Sequence, residues 1–138
     1  MRGAEAVFVD SGAWIALALT RDPLHGRARE AWDEVITCGG RLHTSVPVVL
    51  ETFTFLDRSA SRDVALAWKD SLDAVRGLRI LPCSPVDVRD AWKYFTRTDL
   101  HKLSAVDATS FVLMTRARIR AAFAFDHHFA TVGFRLIG

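Results

Sequence analysis

The stretch Ala6-Val7-Phe8-Val9-Asp10-Ser11-Gly12 decides the fold. Val7, Phe8 and Val9 are a short apolar run of β-formers, the pattern of a strand buried on both faces of a parallel sheet. The run stops at a carboxylate, a hydroxyl and a glycine. A helical stripe of Ala13, Trp14, Leu17 and Ala18 follows at once. In open α/β sheets the site lies where strands end and helices begin, so Asp10 marks such a place.

Working outward, Asp22-Pro23 reads as a cap and first position of a helix through Leu24, Ala28, Ala31, Trp32 and Val35, stopped by Gly39-Gly40. Arg41 to Thr44 reads as a second strand. Thr44 or Ser45 then caps a helix with Pro47 near its start. Val46, Val48, Val49, Leu50, Phe53, Phe55 and Leu56 make that helix apolar nearly all round, which predicts burial. Glu51 interrupts it, and an unpartnered buried carboxylate costs several kcal/mol. Ser61 caps a helix carrying Val64, Ala65, Trp68, Leu72 and Val75, ended by Gly77; Leu78 to Leu81 reads as a third strand. Ser84-Pro85 opens a helix with Val88, Ala91, Trp92 and Phe95 inward, and Ser104 opens another. Ala121 to Phe125 and Phe134 to Ile137 complete the strands. Strands alternating with helices predict a three-layer α/β/α domain over residues 1–138, with a central parallel sheet of about five strands.

Composition narrows the function classes. The 138 residues are half hydrophobic and a quarter charged, which suits one globular domain with a real core. No apolar run is long enough to span a bilayer, and the opening residues lack a signal-peptide pattern, so a cytoplasmic location is expected. Cys38 and Cys83 have no metal-ligand spacing and read as buried free thiols. A formal charge of only +2 excludes a polycation, so a nucleic-acid surface must come from local clusters.

Four acids stand out by position. Asp10 and Asp126 each close a buried strand, Glu51 breaks an apolar helix, and Asp107 lies in a first helical turn. Right-handed crossovers can bring strand ends and helix start to one sheet edge. Carboxylates crowded there repel one another. Oxygen-rich sites of this kind suit Mg²⁺ or Mn²⁺, and two such ions roughly 3.5–4 Å apart can clamp a phosphodiester. Each acid also has a plainer role. Asp10 can be an N-cap, Glu51 half of a salt bridge, Asp126 a turn residue. Ser104-x-x-Asp107 reads equally as a capping box.

Val9-Asp10-Ser11-Gly12-Ala13, Pro47-Val48-Val49-Leu50-Glu51, Leu103-Ser104-Ala105-Val106-Asp107-Ala108 and Phe125-Asp126-His127-His128-Phe129 together resemble the signature blocks of PIN-domain ribonucleases, most closely the VapC-type toxins of toxin–antitoxin pairs. The resemblance covers essentially the whole chain, in order. It implies a Mg²⁺- or Mn²⁺-dependent endoribonuclease using one or two ions. It implies Asp10, Glu51, Asp107 and Asp126 as metal-binding catalytic acids, with Ser11 as polar support. It also implies an RNA substrate, a small antitoxin partner and a homodimer. Water activated by metal would attack in line, leaving a 5′-phosphate and a 3′-hydroxyl.

Two other classes compete. In a receiver-like phosphoryl-transfer domain Asp10 would accept phosphate, but a lysine is expected at a late strand end, where Phe125-Asp126 stands. In a catalytically silent binding module the acids would be only caps. Among the remaining polar residues, Asp99 reads as a loop or cap acid. His25 reads as a packing or hydrogen-bonding residue. His127 and His128, being adjacent, project apart and read as structural rather than as a zinc pair. Arg116, Arg118 and Arg120 suit the end of the Asp107 helix, favourably placed on its dipole. Arg58, Arg62, Arg97 and Lys102 are the candidates for an RNA-contacting rim. Phe129 and Trp14 read as core; Trp68, Trp92, Tyr94 and Phe95 read as core or dimer face.

Overall fold

The computed structural model describes residues 4–138. The elements run β1 (Ala6–Val9), α1 (Ser11–Ala18), α2 (His25–Thr37), β2 (Arg41–Ser45), α3 (Val46–Ser59), α4 (Arg62–Ser71), β3 (Arg79–Leu81), α5 (Pro85–Ala91), α6 (Ala105–Ala117), β4 (Ala121–Phe123), α7 (His128–Thr131) and β5 (Arg135–Ile137). The sheet has five strands in the order β3-β2-β1-β4-β5, all parallel. The chain moves one way from β1 through β2 to β3, then crosses back to β4 on the other side of β1. The β1/β4 boundary is therefore the switch point, where adjacent crossovers leave a crevice at the strands' carboxyl ends. Val9 pairs with Phe123 there, and the Asp10 N–H donates to Phe123 O at 3.0 Å.

Local chemistry accounts for most boundaries. Ser45, Ser61, Ser84 and Ser104 each accept a hydrogen bond from a backbone N–H three residues on. Gly39 ends α2 with φ +73°, and a Cβ on Gly40 would stand 2.8 Å from Val35 Cγ1, so neither position tolerates a side chain easily.

Right-handed crossovers put α1–α4 on one face and α5–α7 on the other. An aromatic cluster serves each layer. Trp14 meets Trp32 and Trp68 with ring centroids 5.8 and 6.0 Å apart. Phe111 meets Tyr94, Phe129 and Phe134 at 5.1, 5.0 and 6.0 Å. Val7, Phe8 and Val9 are fully buried between the layers, as their run predicts. Trp14, Trp68 and Phe129 are core; Tyr94 is half-buried.

Several expectations are corrected. α3 is amphipathic rather than buried all round. Val48, Thr52 and Leu56 face inward, while Val46, Leu50 and Phe55 are exposed. Neighbours α1, α4 and α6 cover only part of its circumference. Trp92 and Phe95 are exposed rather than inward, because α5 ends at Ala91 and the chain tightens into a 3-10 turn over Trp92–Thr96. That change of pitch rotates both rings off the packed face. α4 likewise stops at Ser71 and gives way to a 3-10 turn. α2 starts at His25, since the Asp22 carboxylate accepts the Leu24 N–H at 2.8 Å and makes a turn of Asp22-Pro23. β4 ends at Phe123, two residues early. Cys38 and Cys83 are free but half-buried.

These packing assignments are measurable. Phe111→Ala should lower unfolding free energy by about 3–5 kcal/mol in urea denaturation. Measured on the monomer, Trp92→Ala should stay within about 0.5 kcal/mol of the parent.

Candidate metal centre

Asp10 follows β1 at the N-cap position of α1, yet its side chain makes no capping hydrogen bond. The residue is 4% exposed, and its Oδ1 is buried without a partner. Its carboxyl therefore makes no well-formed cap bond, although the first N–H groups of α1 face it. Burial raises its pKa to about 7, with the charges of Glu51 and Asp126 pushing the same way and the backbone N–H groups of Ser11 and Gly12 partly offsetting them.

Asp107 stands in the first turn of α6. The Ser104 hydroxyl accepts the Asp107 N–H at 3.0 Å, and no return bond from the Asp107 carboxylate to the Ser104 N–H is found among the described residues. The contrast is Ser84–Asp87, where both halves of a capping box are made. Only half of the expected box forms at Ser104, which leaves the Asp107 carboxyl for the crevice. Burial, followed by the charges of Asp10, Asp126 and Glu51, raises its pKa to about 9.

Asp126 lies just past β4. Its Oδ1 accepts the His128 N–H at 2.9 Å. Burial pulls its carboxyl upward, but that backbone bond and the contacts with Asp107 and His128 prevail and hold it below the ordinary range. Asp107 and Asp126 therefore titrate as a pair. Glu51 enters from α3, half-buried, and accepts a 2.5 Å hydrogen bond from the Ser11 hydroxyl. The charges felt at Asp10 and Asp107 link all four acids at the β1/β4 switch point.

His128 stands beside the acids, a placement the sequence did not lead one to expect. The two histidines do not project apart as expected: their rings lie 4.6 Å apart between centroids, and they differ in burial, the His127 side chain being 81% exposed and that of His128 6%. Ligand-capable atoms of Asp107, Asp126 and His128 lie within 4.8 Å of one another. The available signal was its position two residues after Asp126 and directly before the core residue Phe129.

A divalent cation fits this donor set. Buried carboxylates that repel one another, one with an orphaned oxygen, are stabilised by a hard cation with oxygen ligands. A family comparison matches residues 7–135 to the PIN domain.

The chain belongs to the PIN domain family.

It is 34% identical over 131 residues to the 23S rRNA-specific endonuclease VapC20 of Mycobacterium tuberculosis, covering 93% of this chain and 95% of that one. The crystal structure of that protein, described as a Sarcin-Ricin loop cleaving toxin, superposes with a TM-score of 0.82 at 32% identity over 93% and 95% of the two chains. VapBC2 from Rickettsia felis shares the fold, with a TM-score of 0.70 at 9% identity over 95% and 96%.

Around the centre of this PIN domain the basic residues differ in availability. Arg58 lines an open groove of about 700 Å³ that also includes Glu51, Leu50, Phe55 and Val106. Arg62 pairs with Asp57 at 2.6 Å, and Arg97 with Asp99 at 2.6 Å; that pairing gives Asp99 its role. Lys102 is exposed in the loop before α6. Arg116 is held by Asp87 and Asp90 and ties α6 to α5, beyond any dipole effect. The His25 ring nitrogen Nδ1 lies 2.7 Å from the Ala16 carbonyl, a local hydrogen bond.

The raised carboxyls fix a pH dependence. In the unfolded chain Asp10 and Asp107 ionise near 3.8; in the fold they ionise near 7 and 9. The stability they permit is complete below pH 4 and is lost as pH rises through those values. Asp126, held low, acts oppositely only in strong acid. A change of about 1 kcal/mol moves Tm by roughly 3–5 °C in a chain of this size. Metal-free protein should therefore lose at least about 5 °C in Tm between pH 5 and 8.5. Added Mn²⁺ should raise Tm more at pH 8.5 than at pH 5. Asp10→Asn should raise the metal-free Tm at pH 8.5 and blunt the response to Mn²⁺.

Proposed function

We propose that this PIN-domain chain is a metal-dependent endoribonuclease of the VapC type, in which Asp10, Glu51, Asp107 and Asp126 hold one or two Mg²⁺ or Mn²⁺ ions. The observation that carries the reading is the convergence of four acids from β1, α3, α6 and the end of β4 on one crevice, with the Asp10 and Asp107 carboxyls strongly desolvated and the Asp107 carboxyl not turned back to its cap. A bound divalent ion supplies a more acidic water and stabilises charge developing on the phosphate. The protein's part is positional. Ser11 donates to Glu51 and fixes its carboxylate in the crevice. The His128 N–H fixes Asp126. Low exposure at Asp10 and Asp107 keeps the field there strong. The acids require no 2′-hydroxyl nucleophile, so hydrolysis leaves a 5′-phosphate and a 3′-hydroxyl. The 34% identity to a 23S rRNA-specific endonuclease makes ribosomal RNA the first substrate to test.

The partner in this reading is a small antitoxin. The groove beside Glu51 exposes Val46, Leu50 and Phe55, so an apolar segment laid there would bury apolar surface and cover the acids together. The exposed Trp92–Phe95 pair, centroids 6.0 Å apart, supports a homodimer face. No helix among the described residues is long and apolar enough to cross a membrane, and a cytoplasmic location goes with a ribosomal substrate.

Purified protein with Mn²⁺ should cleave ribosomal RNA. Asp10→Asn, Glu51→Gln and Asp107→Asn should each cut the rate at least about 100-fold with circular dichroism unchanged, and Ser11→Ala about tenfold. Wild type that cleaves no RNA with either ion present would leave the silent binding module in its place. For the rim, Arg58→Glu should raise KM and lower the salt dependence of binding. Arg62→Glu and Arg97→Glu should do less than Arg58→Glu, since their guanidinium groups already hold carboxylates, and Lys102→Glu should fall between.

A further inference from the structure

His128 is buried in a way that hydrogen bonding does not explain. Its side chain is 6% exposed, and neither ring nitrogen has a hydrogen-bond partner. A buried imidazole normally donates from one nitrogen and accepts at the other. Nδ1 does stand 3.0 Å from Asp126 Oδ1, but the approach is not aligned for a hydrogen bond. That same oxygen already accepts the His128 backbone N–H at 2.9 Å.

The spacing has another physical meaning. Two donors adjacent on one ion, with bonds of about 2.1 Å, stand about 3 Å apart. Such donors point at a common centre rather than at each other. Ligand-capable atoms of Asp107, Asp126 and His128 all lie within 4.8 Å of one another. We infer that His128 is a nitrogen ligand of the metal centre, completing an Asp107–Asp126–His128 set beside Asp10 and Glu51. This rests on the nuclease reading of the acids and goes beyond it, because an imidazole changes which ion the site prefers. Carboxylate and water suit Mg²⁺ and Mn²⁺ alike; imidazole suits later transition ions, and affinity for a mixed oxygen and nitrogen site rises from Mn²⁺ through Fe²⁺ to Co²⁺. The centre is thereby biased toward a transition ion over Mg²⁺. His127 Nδ1 stands farther from Asp126 Oδ1, at 3.9 Å, on an exposed side chain, and lies outside that set.

The test uses Mn²⁺ on the full chain, without RNA. Electron paramagnetic resonance of the wild-type Mn²⁺ complex should show coupling to a directly bound imidazole nitrogen. His128→Asn should abolish that coupling and weaken Mn²⁺ about tenfold or more in calorimetric titration, while Mg²⁺ weakens less than about threefold. His127→Asn should retain the coupling. If His128→Asn fails to fold, His128→Asp is measured instead, with the same loss of nitrogen coupling expected. Mn²⁺ binding to wild type without nitrogen coupling, or equal Mn²⁺ affinity in wild type and variant, overturns the ligation and leaves the acidic-centre reading standing. Failure of wild type to bind Mn²⁺ at all overturns both.

Discussion

The arrangement turns on electrostatic self-repulsion in a poorly solvated crevice. Asp10 and Asp107 are driven upward first by burial and then by neighbouring carboxylates. Water is largely excluded and cannot screen them. Folding therefore carries a standing electrostatic cost, relieved by protons at low pH, and one that a bound cation would relieve at neutral pH. Sites under such strain are the usual places for function, since stability alone would replace these acids with neutral side chains.

Topology explains why the strain collects where it does. β1 and β4 are neighbours, but the chain between them visits β2 and β3 first. Their carboxyl ends thus deliver Asp10 and Asp126 from distant parts of the sequence. α6 opens beside them with Asp107 at its start, and α3 brings Glu51 across, tied by Ser11. Helix starts at α1 and α6 supply partial positive charge near the acids. That contribution offsets the repulsion without removing it, as the raised carboxyls record. The fold shared with VapC20 is the frame that lets these four short segments meet.

Local signals made much of this readable from sequence. Val7-Phe8-Val9 had to be a buried strand, and the four capping serines marked helix starts within a residue or so. The acids were conspicuous because each sat against an apolar run or in a capping turn. Burial around a helix was not readable, because it depends on which neighbours dock. Leu50 and Phe55 look like core residues until α1, α4 and α6 leave their side of α3 open. Trp92 and Phe95 keep helical spacing on paper, but a 3-10 turn changes the pitch under them. His128 and His127 are indistinguishable in composition; only the turn after β4 buries one ring and leaves its neighbour exposed. The half-made box at Ser104 was equally hidden, since the spacing cannot say whether Asp107 turns back to its cap.

The divided surface of α3 sets how the molecule can diverge. Val48, Thr52 and Leu56 anchor it to the sheet, whereas Leu50, Thr54 and Phe55 touch the outer groove. Substitutions along the outer stripe leave the anchoring stripe intact, while Glu51 borders both. The outer stripe can therefore change in sequence without disturbing the way the helix is seated.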